Sequence, residues 1–147
     1  MEAKHLGQRS TGPSDALDVF PNPNPGSNGL VHIWTDEFTC FCPVTGQPDF
    51  AHFKLWYIPD EKCVELKSLK LYLWTFREKG AFHEKVTGEI LTKLVDVLQP
   101  RFAHLVMKFN VRGGLFTDVL QTYKRPEWDA GVQLLATSEG VTVVVPA

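Results

Sequence analysis

Apolar and polar residues alternate over FAHFKLWYI, which sets Ala51, Phe53, Leu55 and Tyr57 on one face and His52 and Lys54 on the other. A period of two marks a half-buried strand. A shorter alternation places Val31 and Ile33 against His32 and Trp34, just before FTCFCP. Pro59-Asp60 then reads as a turn, and the period lengthens. Leu66, Leu69, Leu73 and Phe76 recur at helical spacing, the stripe of an amphipathic helix that Gly80 can end. A second helix is predicted from about Phe82 to Leu98, with Val86, Ile90, Leu94 and Val97 on one face and Pro100 as its stop. In FAHLVMKFNV the period returns to two, with Ala103, Leu105, Met107, Phe109 and Val111 sharing a face. Gly113-Gly114 supplies a turn, and Leu115 to Tyr123 alternates again. The order is ββααββ, an α+β domain over residues 30–125 with an antiparallel sheet and two helices on one face.

The flanks read differently. Residues 1–29 hold four of the ten prolines and end in FPNPNPGSNG, so an extended arm is expected there, pinned at most by Leu17 and Phe20. Residues 126–147 form an extension whose VTVVV run has strand character but no evident partner. A ββααββ unit leaves one sheet face and two sheet edges needing cover, so a homo-oligomer is expected.

Composition narrows the function classes. Hydrophobic residues make up 44% of the 147, enough to build a core, which excludes a wholly disordered chain. Fifteen basic against seventeen acidic side chains leave a net charge of −2, and a generic electrostatic binder of nucleic acid is strongly basic. No apolar run approaches membrane-spanning length, and MEAKHLGQRS lacks the apolar stretch of a signal peptide. Three cysteines cannot all pair within one chain. A cytoplasmic protein with free thiols, no membrane and no direct nucleic-acid partner is the expectation.

Candidate chemistry is densest in FTCFCPVTGQPDF. Cys42 precedes Asp49 by seven residues in a loop between strands, a thiol beside a carboxyl able to move protons. A small buried cysteine and an ordinary Pro-Asp turn would look the same. Cys40 and Cys42, with Cys63, His83 or His104, also permit a zinc site to be drawn, although the usual ligand spacing is missing. In VELKSLK, Lys67 and Lys70 share a helical face at a helix start, where backbone N–H groups can receive an anion. A solvated face explains them equally. Phe82-His83-Glu84 opens the second helix, where a carboxylate and an imidazole can hold a purine-like edge or simply suit the helix dipole. Arg112-Gly113-Gly114 joins a guanidinium to backbone that a phosphate can approach, or is only a strand turn.

Together FPNP, EFTCFCPVTGQPDF, VELKSLKLY, FHE and RGG resemble, in order and spacing, the short single-module 7-cyano-7-deazaguanine reductases, the NADPH-dependent nitrile reductases of queuosine biosynthesis in tRNA. The resemblance runs from about Val19 to Tyr123. It implies a tunnelling fold assembled into a multi-subunit barrel, a pentamer or a decamer, with sites at subunit interfaces. It implies Cys42 as the nucleophile that forms a thioimide with 7-cyano-7-deazaguanine and Asp49 as general acid. Val64, Glu65, Leu66, His83 and Glu84 would bind the substrate. Lys67, Ser68, Lys70, Arg112 and Gly113 would contact NADPH, and no metal is needed. Cys40 stands where many relatives are expected to have a small hydroxyl residue, close enough in sequence to pair with Cys42 under oxidation. Three other readings stay open: an ammonia-adding branch acting on tRNA, a zinc-dependent cyclohydrolase of the same fold, and a non-catalytic purine-binding protein. The intact Lys-Ser-x-Lys cluster argues against the first, and the second demands a full ligand set.

Overall fold

The computed structural model describes residues 4–7, 9, 12–137 and 140–145. Its elements run in the order β1 (Val19–Pro21), β2 (Val31–Phe41), β3 (Pro48–Ile58), β4 (Lys62–Val64), α1 (Leu66–Trp74), a 3-10 turn (Thr75–Glu78), α2 (His83–Leu98), β5 (Phe102–Arg112), β6 (Leu115–Lys124), β7 (Gln133–Thr137) and β8 (Gly140–Val144). The expected ββααββ order is present in β2, β3, α1, α2, β5 and β6.

Four strands form one antiparallel sheet in the order β2-β3-β5-β6. Its register opposes Ala51 to Phe109, Phe53 to Met107 and Leu55 to Leu105, so the alternating faces of β3 and β5 coincide. All six of these side chains are buried. They meet Val86, Ile90 and Leu94 of α2 and Leu69, Tyr72 and Phe76 of the first helical segment in one core. At about 25 cal/mol per Å² of apolar surface removed from water, this sheet–helix layer is the main source of stability. The predicted stripes fail at the margins of α1 and β5. Leu66 is 60% exposed and Val111 50%, because each lies at an element end beyond the covered sheet. Helix α2 stops at Gln99, which takes the left-handed conformation at φ 48° immediately before Pro100.

Both flanks enter the fold. Val19–Pro21 pairs with Lys62–Val64, and Leu17 and Asp18 are buried, whereas Phe20 is 39% exposed. The expected arm is therefore anchored at Val19–Pro21 and again at residues 4–6, whose N–H groups donate to the Asp18 carboxylate. At the other end β7 and β8 form a hairpin. Val143 joins Trp56, Ile58, Phe102 and Val106 on the sheet face away from the helices, which gives VTVVV the partner its sequence alone did not reveal. Among the described residues the outer edge of β6 is unpaired and that of β2 is met only at Phe41, by Gly80, and Leu115, Phe116 and Leu120 on β6 are exposed. Among the described residues no helix is long and apolar enough to cross a membrane.

Candidate active site

Cys42 stands just beyond β2, at the tip of the hairpin that leads into β3. The turn is tied by Cys42 N–H donating to Gln47 O at 2.9 Å and Gly46 N–H donating to Cys42 O at 2.9 Å. Gly46 has φ 69°, a conformation that glycine adopts without the Cβ penalty of other residues. The turn aims donors at the sulfur. The Thr45 hydroxyl, the Thr45 and Val44 backbone N–H groups and the Arg112 guanidinium bring the Cys42 thiol down from 9.0 to about 7. Successive N–H groups of this kind make an anion-holding concavity, and here the anion is a thiolate.

Asp49 is 4% exposed on β3 and is held from two sides. Arg112 donates to its Oδ1 at 2.8 Å from the end of β5, and His83 Nε2 lies 3.3 Å from Oδ2 at the start of α2. Arg112 also donates to Gln47 Oε1 at 3.0 Å. The imidazole of His83 lies flat on Phe109, with ring centroids 3.6 Å apart and planes 4° apart, so its edge is free to point at Asp49. Glu84, the next residue of α2, is exposed. Four predicted residues, Cys42, Asp49, His83 and Arg112, thus form one cluster drawn from three parts of the chain. Thr45, Gln47 and Phe109 complete it and were not singled out in the sequence. The only signal was Thr45 lying between the thiol and the carboxylate in CPVTGQPD.

Val64 to Lys70 form a second group at the start of α1. The helix N-terminus expected to receive an anion is occupied by the chain itself. Glu65 accepts from Lys67 N–H at 2.9 Å and Ser68 N–H at 2.7 Å, a capping carboxylate that suits the helix dipole. Ser68 is wholly buried, accepting from Asp18 N–H at 2.9 Å and donating to Glu65 O at 2.8 Å. Its hydroxyl therefore organises the helix entry and does not face outward. Val64 is buried with its N–H on the Tyr57 hydroxyl at 3.2 Å. Lys67 Nζ donates to His5 O at 3.0 Å. Leu66 and Lys70 are exposed and line a groove of about 530 Å³ between β2 and α1, together with Trp34, Trp74 and Arg77. Among the described residues no hydrogen bond or ion pair links this second group to the Cys42 cluster.

The zinc arrangement drawn from sequence is not assembled. Among the described residues no three His, Cys, Asp or Glu side chains stand together as a metal site. His104 is buried under Trp56 with Nδ1 2.7 Å from the Thr122 hydroxyl. The three cysteines are free thiols. Cys40 lies in the core on β2, where burial and then the negative charges of Asp49 and Cys42 push its thiol up to about 11. The two neighbouring cysteines thus stand in opposite surroundings, Cys42 partly exposed with its thiol lowered and Cys40 buried with its thiol raised.

The chain is similar to several known proteins. A family model described as QueF-like protein matches residues 48–128. The NADPH-dependent 7-cyano-7-deazaguanine reductase of Methylobacillus flagellatus is 56% identical over 119 residues, covering 81% of this chain and 86% of that protein. The protein of the same name from Alkalilimnicola ehrlichii is 54% identical over 119 residues, covering 81% and 92%. A crystal structure of an archaeosine synthase QueF-Like in the apo form superposes with a TM-score of 0.61 at 21% identity, covering 65% of this chain and 94% of that one. That last match is a likeness of fold.

Proposed function

The chain belongs to the family of NADPH-dependent 7-cyano-7-deazaguanine reductases, and from that premise we propose that it reduces the nitrile of 7-cyano-7-deazaguanine to the aminomethyl group through a thioimide on Cys42. The observation that carries this reading is the Arg112 guanidinium, which meets both the lowered thiol of Cys42 and the buried carboxylate of Asp49. One cation joins the nucleophile to the proton-handling group.

A nitrile is a poor hydride acceptor. As the Cys42 sulfur attacks the nitrile carbon and forms the C–S bond, the thiol proton passes by way of Asp49, in its role as general acid, to the nitrogen. The resulting C=N is more electrophilic, and a difficult reduction is divided into easier steps. His83, 3.3 Å from the carboxylate, is placed to pass protons to Asp49 between steps. NADPH, when bound, supplies hydride, and the four-electron change from nitrile to amine uses two molecules of it. After the first hydride transfer the C–S bond breaks, Cys42 returns as thiolate, and the imine is reduced to the amine. The protein binds, orients and protonates.

The residues present suit the cofactor. Nothing lies within 4 Å of where side chains at Gly113 or Gly114 would begin, so ligand can approach that backbone closely. Lys67, Lys70, Arg112 and Gly113 are assigned to phosphate and ribose contacts, with Ser68 holding the helix that presents the lysines. Val64, Glu65, Leu66, His83 and Glu84 are assigned to the deazaguanine ring. A complete site then needs the two groups brought together across a subunit boundary. The open edge of β6 and the exposure of Leu66, Phe82 and Phe116 support such an assembly. We assign it the tunnelling-fold barrel of this family, as a pentamer or decamer. Free thiols and use of NADPH suit the cytoplasm.

Intact-protein mass spectrometry tests this directly. Wild type mixed with 7-cyano-7-deazaguanine should gain the mass of the nitrile, Cys42→Ala should not, and NADPH should discharge the adduct as the amine appears. An adduct indifferent to NADPH, or one retained in Cys42→Ala, overturns the mechanism.

A further inference from the structure

The sequence assigns Gly80 to the end of the first helix, yet α1 is already finished at Trp74 and the 3-10 turn at Glu78. Gly80 lies instead in an extended stretch beside the end of β2. Phe41 N–H donates to Lys79 O at 3.3 Å and Ala81 N–H donates to Phe41 O at 3.1 Å, which makes Phe41 and Gly80 a parallel bridge. Gly80 is not among the residues with positive φ, so backbone conformation does not demand glycine. Space does. A Cβ at this position would stand 2.9 Å from Cε2 of Phe41 and 3.2 Å from Cα of Pro43. Carbon pairs rest at about 3.5–4.0 Å. A ring can turn aside, but the Pro43 contact is backbone, one residue beyond Cys42. Gly88 on α2 provides the contrast, since a Cβ there would meet nothing within 4 Å.

The bridge matters because of what lies at its two ends. On one side Phe41 leads directly to Cys42. On the other, Ala81 leads within three residues to His83 and Glu84, the first residues of α2. We infer that Gly80 is a positioning residue for the reaction: its bare Cα lets the 79–81 segment seat against Phe41 and Pro43, and this fixes the Cys42 sulfur relative to the substrate held by His83 and Glu84. The inference rests on the functional reading above. Addition to a nitrile carbon needs reacting atoms about 3–3.5 Å apart, and a misplacement of about 1 Å costs on the order of 100-fold in rate.

The experiment measures the rate of adduct formation with 7-cyano-7-deazaguanine, without NADPH, for wild type, Gly80→Ala and Gly88→Ala. Gly80→Ala should form the adduct at least about tenfold more slowly. Its equilibrium affinity for the nitrile should stay close to wild type when measured on Cys42→Ala and on the Cys42→Ala/Gly80→Ala pair. The pH midpoint of Cys42 alkylation should rise as the turn donors are displaced, while Gly88→Ala should behave as wild type. A Gly80→Ala protein that forms adduct at the wild-type rate overturns the inference while leaving the function standing. Absence of adduct in wild type overturns the function, and the inference with it. Should Gly80→Ala fail to fold, Phe41→Leu/Gly80→Ala removes the ring contact and keeps that to Pro43. Slower adduct formation than in Phe41→Leu alone is then expected, and equal rates overturn the inference.

Discussion

Arg112 donates to Asp49 at 2.8 Å across 63 residues of sequence, and the same guanidinium reaches Cys42. The end of β5 is thereby bound to the start of β3 and to the turn before it. Arg112→Gln removes a charged partner from a carboxylate that stays buried. Because the guanidinium is 38% exposed, solvent screening reduces the loss, and a small fall in the urea midpoint is expected. Cys42 alkylation at neutral pH should slow in the same variant. Unchanged alkylation would show that the guanidinium does not help to hold the thiolate.

Thr45 is the stronger handle on the thiol. Its hydroxyl is the first cause of the lowered Cys42 value, ahead of the Thr45 and Val44 N–H groups. Alkylation by iodoacetamide should therefore show a midpoint near pH 7, its rate falling about tenfold per pH unit below that as the thiolate is protonated. Thr45→Ala removes the hydroxyl and keeps the N–H donors, so the midpoint should rise by roughly one unit. A midpoint identical to wild type would assign the lowering to the backbone alone.

How far the sequence speaks to this site follows from the same residues. The period-two faces of β3 and β5 were legible because each residue's neighbours on its own strand report its side of the sheet, and Ala51, Leu55, Leu105 and Met107 are buried accordingly. Cys42 and Asp49 were legible through their local motif. The pairing of Asp49 with Arg112 and His83 was not, because it joins three segments that meet only when β3, β5 and α2 are packed. The helix start at Glu65 misled for a different reason. An anion site and a self-capped N-terminus have the same sequence signature, and only the 2.7 and 2.9 Å bonds to Ser68 and Lys67 distinguish them. Asp18 gave no signal at all, since its partners are backbone N–H groups.

Asp18 holds the N-terminal segment down. It is buried, and its carboxylate accepts from the N–H groups of Lys4 at 2.9 Å, His5 at 2.5 Å and Leu6 at 3.1 Å. Burial alone would raise its pKa, but these three bonds prevail and hold it below 3.8. A carboxylate depressed in the folded state contributes stability above its unfolded value, and the contribution is lost as pH falls through the lower folded value. The protection of the amides of residues 4–6 against hydrogen exchange, relative to their intrinsic rates, should therefore be high at pH 5 and fall below pH 3.8. At neutral pH, Asp18→Asn should expose Lys4 to trypsin about tenfold faster, as expected for losing charged hydrogen bonds worth about 1.5–3 kcal/mol. Equal cleavage in variant and wild type would mean that the segment is held by something else.

Ser68 separates a cofactor contact from a scaffold. The resemblance to the reductases placed it beside NADPH, whereas the folded chain buries it completely between Asp18 and Glu65. Ser68→Ala leaves the Asp18 N–H without its acceptor in a site closed to water, which costs about 1–3 kcal/mol and should lower the melting temperature measurably. If the hydroxyl works only through the helix start, KM for NADPH and KM for 7-cyano-7-deazaguanine should shift together and modestly, because Lys67 and Glu65 hang from the same turn. Ser68→Thr keeps the hydroxyl but adds a methyl to a position with no exposed surface, so it should also destabilise. A rise confined to KM for NADPH, with the melting temperature of Ser68→Ala unchanged, would return Ser68 to the cofactor and require the start of α1 to open when the subunits assemble.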